Sequence, residues 1–147
     1  MRSPYLKLAI AIFINTIAMY FITYVTIDNL SHFQFNLNRV YRALLMAAPM
    51  VLVMLIVMAR MFQKQRLNIV LFIAVPLAFI GLFLMVRSQA LIHDAQFLRS
   101  MIPHHSAAIL MCEKSAITDP EIDMLCDQII ETQKKEIGQM EEILKRY

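Results

Sequence analysis

The stretch LNIVLFIAVPLAFIGLFLMV, from Leu67 to Val86, carries no charge and is long enough to cross a membrane as a helix. A spanning helix needs about 20 mostly apolar residues. Two earlier stretches, 5–27 and 43–62, meet the same requirement. The chain of 147 residues is 59% hydrophobic and contains only two glycines, a composition that favours a membrane protein over a soluble or disordered one. The sequence therefore predicts a membrane domain of three spans, formed by residues 1–86.

Basic residues predict the side of the membrane on which each connection lies. Arg2 precedes the first span, and three basic residues crowd the connection after the second span: Arg60, Lys64 and Arg66. By the positive-inside rule, both segments face the cytoplasm. Three spans then place residues 87–147 on the other side, which is the periplasm if the membrane is a bacterial inner membrane. The first apolar stretch is too long for the core of a cleaved signal peptide, so we expect it to remain as an anchor.

Residues 87–147 form a second domain, in which charges are frequent and apolar residues recur at helical spacing. One apolar stripe ends near Cys112, and another begins at Ile122. Between them, Asp119 can cap a new helix and Pro120 fits its first position. Because so short a connection makes two helices antiparallel neighbours, we predict an all-α protein whose three membrane helices precede a helical hairpin.

A hairpin of two helices buries too little apolar surface to be stable alone, so its exposed face needs a cover. The simplest cover is a second copy of the chain, which produces an antiparallel four-helix bundle in a homodimer. The chain's own membrane segments are the alternative. Membrane lipid is the other expected partner, whereas the small net charge of +3 does not suggest nucleic-acid binding.

Two adjacent histidines and several methionines stand out within residues 97–112. On a helix, Met101, His104 and His105 project from the same side over about one turn, and Met111 follows two turns later. In an antiparallel hairpin the two histidines lie level with Gln133 and Glu136, and Met101 lies level with the segment from Glu136 to Met140. Imidazole nitrogen and thioether sulfur suit copper, above all Cu(I), and amide or carboxylate groups can orient such ligands. The alternative is a pair of bundle histidines that bond the same polar residues without metal.

Pro103 directly precedes the histidine pair. A proline inside a helix removes a hydrogen bond and costs ~3 kcal/mol or more. Its position indicates a kink or a fresh helix start that sets the direction of the histidines. The alternative is a plain break in a helix that continues from the third span.

The run FLRSMIPHHSAAILM, followed by IIETQKKEIGQMEEIL, resembles the bacterial family labelled domain of unknown function 305. The family pattern is a Met-Ile-Pro-His-His core and a later Gln-x-x-Glu-Ile-x-x-Met, and the resemblance covers residues 94–144. Members are similar to ferritin-like helical proteins, and some are periplasmic copper-binding proteins. The resemblance therefore implies a ferritin-like hairpin with a copper site at Met101, His104, His105, Met111, Gln133, Glu136 and Met140. An enzyme is not expected, because the Glu-x-x-His motif of di-iron sites and the phosphate-loop and nucleophile motifs are missing from the sequence.

Cys112 and Cys126 depart from the family pattern, in which alanine usually occupies both places. The two cysteines lie in the apolar stripes and are equidistant from Asp119, so an antiparallel hairpin could bring them together. A periplasmic location would favour a disulfide between them. Two buried free thiols and thiolate ligation of a metal are the alternatives.

Polar and sulfur-bearing residues also occur in the membrane domain. Asp28 and His32 lie in the first connection, where we expect them to be solvated, with a second metal site or a contact with the hairpin as alternatives. Methionines recur every four residues in the second span: Met46, Met50, Met54 and Met58. Such a row could pass Cu(I) part of the way across a bilayer, although methionine ordinarily fills gaps between packed helices.

The function predicted from these observations is periplasmic sequestration or delivery of copper or silver by a membrane-anchored protein that is not an enzyme. One alternative is a structural or assembly protein whose hairpin oligomerises without metal. The other is a copper transporter that uses the methionine row of the second span.

Overall fold

The structure, a computed structural model, describes residues 3–147 and contains no strand within that range. Five α-helices follow one another in the described chain: α1 (Pro4–Ile22), α2 (Leu37–Val57), α3 (Gln65–Ser88), α4 (Asp94–Lys114) and α5 (Pro120–Leu144). Single turns of 3₁₀ helix, Leu30–His32 and Ala59–Met61, lie in the connections that precede α2 and α3. The predicted all-α class is confirmed.

The three N-terminal helices are each long and apolar enough to cross a membrane, in agreement with the predicted three apolar helices. Their ends differ from the prediction, since α1 stops at Ile22 rather than at residue 27. At the next span, α2 begins at Leu37 rather than at residue 43. Hydropathy missed this polar first turn, where Asn38 donates a hydrogen bond to the Gln89 side chain at 2.9 Å. A helix can extend through polar residues when their side chains have partners, so apolar length does not set its ends.

Internal contacts divide the chain into two units. The first contains the residues up to Thr23 together with Asn38–Ala90, and the second contains Tyr24–Leu37 together with Leu91–Tyr147. The sequence-based division placed residues 1–86 in one domain and 87–147 in the other. The contact units differ from it chiefly because the connection Tyr24–Leu37 packs with the C-terminal hairpin.

In the first unit, a small apolar core forms around Leu8, Leu55 and Phe62. The ring of Tyr5 lies 5.2 Å from that of Phe62, and its hydroxyl donates a hydrogen bond to Asn68 at 2.8 Å. None of the residues of α3 is buried, and most of its large side chains are exposed and apolar. Surfaces of this kind suit contact with lipid, as expected of membrane spans.

In the second unit, α4 and α5 form an antiparallel hairpin. A disulfide joins Cys112 to Cys126 near the closed end, and Tyr147 donates to Asp94 at 3.2 Å at the open end. As predicted, α5 begins at a cap, because the Asp119 carboxylate accepts hydrogen bonds from the backbone N–H groups of the two residues after Pro120. The core between the helices consists of Leu98, Ile102, Ile109, Ile137 and Met140.

Pro103 lies inside α4 and is not the point at which a helix starts or ends. The break after α3 comes earlier, where Gln89 and Leu91 adopt left-handed backbone conformations with φ of 52° and 61°. Residues in this region cannot continue a right-handed helix. Two predictions for Pro103 are therefore wrong: it does not start a new helix, and it does not break a helix that continues from the third span.

Candidate metal centre

The inner face of the hairpin brings together two pairs of predicted site residues. Met101 and His105 are four residues apart on α4, and Glu136 and Met140 are four residues apart on α5, so each pair lies on one side of its helix. Met140 belongs to the core between the helices, and Met101 packs against that core. Two thioethers and an imidazole therefore lie in adjacent turns of the hairpin interior, and the Glu136 carboxylate, whose side chain is 43% exposed, lies at its edge.

One polar contact across the hairpin joins His105 to Glu136. His105 Nδ1 lies 3.2 Å from Glu136 Oε2, and only 13% of the His105 side chain is exposed. Among residues 3–147, this buried nitrogen has no partner with hydrogen-bond geometry, so the contact is an electrostatic one. Gln133 Nε2 donates to the same carboxylate oxygen at 3.4 Å. A buried donor or acceptor without a hydrogen bond is costly, and a bound cation is one way to satisfy it.

The environment of His105 favours its neutral form. Burial lowers the pKa of His105, the Glu136 carboxylate raises it, and the neighbouring His104 lowers it further, with a net lowering. His105 is therefore uncharged near neutral pH, which is the form in which imidazole binds a metal ion. Because its pKa in the folded protein lies below about 6.5, the stability that it contributes is present above that pH. This contribution is lost as the pH falls through the lowered pKa.

Replacing Glu136 by glutamine is expected to lower the pKa of His105 further, because the negative charge that opposes the effect of burial is removed. The pKa can be measured by NMR titration of isotope-labelled histidine rings in the metal-free protein. Glu131→Gln, an exposed change elsewhere on α5, is the matched control and should leave the pKa in place. An unchanged or raised pKa in Glu136→Gln would contradict the contact between Glu136 and His105.

Two of the seven predicted site residues lie outside this interior. His104 is exposed, and its ring centroid is 6.0 Å from that of His105. Met111 is 68% exposed. Successive residues of a helix point about 100° apart, so adjacent histidines cannot both face the same neighbouring helix. The structure thus brings five predicted residues together, with Met101, His105 and Met140 in the interior and the half-buried Gln133 and Glu136 at its edge.

Within residues 3–147, no three or more histidine, cysteine, aspartate and glutamate side chains form a group that could hold a metal ion. The interior described above contains two such residues, His105 and Glu136, and its other donors are the sulfur atoms of Met101 and Met140. The donor set therefore suits a soft ion that accepts thioether ligands.

The two cysteines form a disulfide, with Cα atoms 5.3 Å apart. The free-thiol and thiolate-ligand alternatives do not describe this structure. Cys112 follows His105 by seven residues, about two helical turns or ~10 Å along α4, so the disulfide is separate from the interior donors.

A second polar cluster lies in the same unit around Ser106, a residue that the sequence analysis did not single out. Ser106 is fully buried, and its hydroxyl accepts a hydrogen bond from the Asp28 backbone N–H at 2.8 Å. His32 Nδ1 lies 2.9 Å from the same hydroxyl oxygen. Of the alternatives for Asp28 and His32, the structure shows the contact with the hairpin, made by the Asp28 backbone N–H and the His32 ring. The available signal was a small polar residue, Ser106, in an otherwise apolar stripe.

Comparison with known proteins gives two matches. The family described as "Domain of unknown function (DUF305)" matches residues 87–146. An uncharacterized protein of Acanthamoeba polyphaga mimivirus is 35% identical over 122 residues, which cover 80% of this chain and 76% of that protein. No solved structure matches the chain.

Proposed function

The chain belongs to the DUF305 family, and on that premise we propose that it is a membrane-anchored protein that binds copper or silver through methionine and histidine. The observation that carries the proposal is the buried His105 Nδ1, which has no hydrogen bond within residues 3–147. Met101 lies one helical turn before it, and Met140 lies in the core against which Met101 packs.

The donor set explains the choice of metal. Neutral imidazole and two thioethers are soft or borderline ligands, which favour Cu(I) and the chemically similar Ag(I) over hard cations. Glu136 contacts His105 and accepts from Gln133, so these two residues are placed to orient the imidazole or to complete the coordination. The proposed role is sequestration or delivery of the ion, and not a chemical reaction on it.

The proposed location of the hairpin is the periplasmic side of a bacterial inner membrane, with the N-terminus in the cytoplasm. Two observations support it. The Cys112–Cys126 disulfide is typical of an oxidising compartment. The basic residues of the connection between α2 and α3 favour a cytoplasmic position for that connection.

A second copy of the chain is the proposed cover for the outer face of the hairpin. Phe97, His104 and Met111 are spaced seven residues apart on α4, and all three are exposed. This spacing aligns them in one stripe along the helix, which we call the outer stripe. In a homodimer the outer stripe would be buried, and His104 and Met111 would then supply further donors near a shared site. The stripe also favours the second candidate function, an assembly protein whose hairpin oligomerises without metal.

Replacing Phe97 by glutamate is expected to weaken this dimer by about 100-fold or more, because two buried phenylalanines are lost and two charges are introduced. The monomer–dimer equilibrium of the full chain can be followed by native mass spectrometry after release from detergent. Phe97→Leu keeps an apolar side chain and is the control. A wild-type chain that stays monomeric, or a glutamate variant that dimerises equally well, would contradict the outer stripe as an interface.

Metal selectivity tests the proposed function. In an anaerobic titration of the full chain against a competing chelator, we expect tight binding of Cu(I) and Ag(I) and weak binding of Zn²⁺, since two of the donors are thioethers. Preference for Zn²⁺, or no binding of Cu(I) beyond that of a variant with both His104 and His105 replaced by alanine, would reject the proposal.

A further inference from the structure

The connection Tyr24–Leu37 contacts α4 within the second unit, and Asn36 is its most deeply placed polar residue. Asn36 is fully buried, and its Nδ2 donates hydrogen bonds to the carbonyl of Gln34 at 2.9 Å and to the carbonyl of Arg99 at 3.3 Å. The second bond is unusual because Arg99 lies inside α4, where a backbone carbonyl normally accepts from the N–H four residues later.

The residue four positions after Arg99 is Pro103, which has no N–H to donate. The Arg99 carbonyl therefore has no N–H partner four residues later in the helix, and it accepts a hydrogen bond from the Asn36 amide instead. Pro103 is itself buried. A side chain from a distant part of the chain thus replaces the hydrogen bond that the proline removes from the helix.

The same connection contacts α4 at two further points. Before the proline, Gln96 Oε1 accepts from the Leu37 backbone N–H at 3.0 Å. After it, the Ser106 hydroxyl lies at hydrogen-bond distance from both Asp28 N and His32 Nδ1. Contacts from Tyr24–Leu37 therefore hold α4 on both sides of the turn that carries His104 and His105.

We propose that Asn36 is a positioning residue for the metal centre, since it restores the hydrogen bond missing at Pro103 and thereby sets the direction of Met101 and His105. This inference rests on the proposed metal-binding function. The hydrogen bond from Asn36 explains why a proline is compatible with an unbroken α4. It also makes the turn that carries Met101 and His105 depend on a residue outside the hairpin.

The test compares Asn36→Leu in two backgrounds, the natural chain and Pro103→Ala, using the full-length protein in detergent. Leucine has a similar size but cannot donate. In the natural background we expect amide exchange in the turn 99–107 to become about tenfold faster and Cu(I) affinity to fall about tenfold, as for a buried carbonyl left without a partner. In the Pro103→Ala background, the alanine restores a backbone N–H that donates to the Arg99 carbonyl, so the same substitution should change both quantities less than about twofold.

A general loosening of the structure would not show this rescue. Exchange within residues 24–37 should rise in both backgrounds, because the Gln34 carbonyl loses one of its two donors and the Tyr24 hydroxyl loses its hydrogen bond from Asn36 Nδ2. Ser31→Ala, an exposed change in the same connection, is the matched control, and thiol counting verifies that the disulfide has formed in each variant. Equal effects of Asn36→Leu in both backgrounds would overturn the inference. If the natural chain bound no Cu(I), the proposed function would fail, whereas the exchange in α4 would still decide whether Asn36 replaces the missing bond.

Discussion

Replacing His105 by alanine is expected to weaken Cu(I) binding by more than about 100-fold. Loss of a residue that only orients a metal ligand costs about 10–100-fold, and His105 is proposed to be a ligand itself. The reason is that His105 is the largely buried imidazole of the hairpin interior, with Nδ1 at 3.2 Å from Glu136 and with Met101 one turn away. The measurement is an anaerobic titration of the full chain against a chelator of known Cu(I) affinity. His93→Ala is the matched control, because His93 is exposed and its side chain forms no cap hydrogen bond to α4 within the described chain.

A loss of affinity in His105→Ala could also reflect a loosened core, so a second substitution separates the two explanations. Met140→Leu conserves volume in the core and removes only the sulfur, a change that usually costs little stability. We expect it to weaken Cu(I) binding while leaving the hairpin folded. If Met140→Leu and His105→Ala both bind Cu(I) as tightly as the natural chain, the interior donors are not the metal site.

Replacing both Cys112 and Cys126 by alanine is expected to lower the free energy of unfolding of the hairpin by ~3 kcal/mol in the chain-entropy model of a loop of this length. The disulfide spans 14 residues and closes the turn between α4 and α5. The effect can be measured from the slowest-exchanging amides of α5, whose exchange should become about 100-fold faster.

Reductant provides the internal control for this prediction. It should destabilise the natural chain to the level of the double alanine variant and leave that variant unaffected. Cu(I) affinity of the double variant should match that of the natural chain, because the cysteines are bonded to each other and are not among the interior donors. A variant as stable as the natural chain would show that the disulfide contributes no measurable stability.

Much of the architecture follows from local sequence. Uninterrupted apolar length predicted three helices long enough to cross a membrane, and the structure contains three such helices. Asp119 and Pro120 marked the start of α5 within one residue, because capping depends only on neighbours in the chain. The positions of Cys112 and Cys126 on either side of that turn likewise anticipated that they could meet.

The sequence anticipated the inward and outward roles of the two histidines only in part. It placed His104 and His105 on one side of a helix as joint ligands, although only His105 falls in the apolar stripe with Ile102 and Ile109, and it left open which of them faces α5. Packing decides this, because Ile102, Ile109 and Ile137 must be buried together and their burial sets the rotation of α4. His105 turns inward as a consequence, and His104 is left exposed.

The sequence by itself determined the spans, the hairpin and the kinds of donor atoms available, because these depend on composition and on neighbours within a few residues. Only the tertiary structure decided that Tyr24–Leu37 packs against α4 and that Asn36 bonds the carbonyl left open by Pro103. Asn36 and Arg99 are far apart along the chain, and no sequence motif links them. Their pairing arises because a buried carbonyl needs a donor, and the folded chain brings one to it.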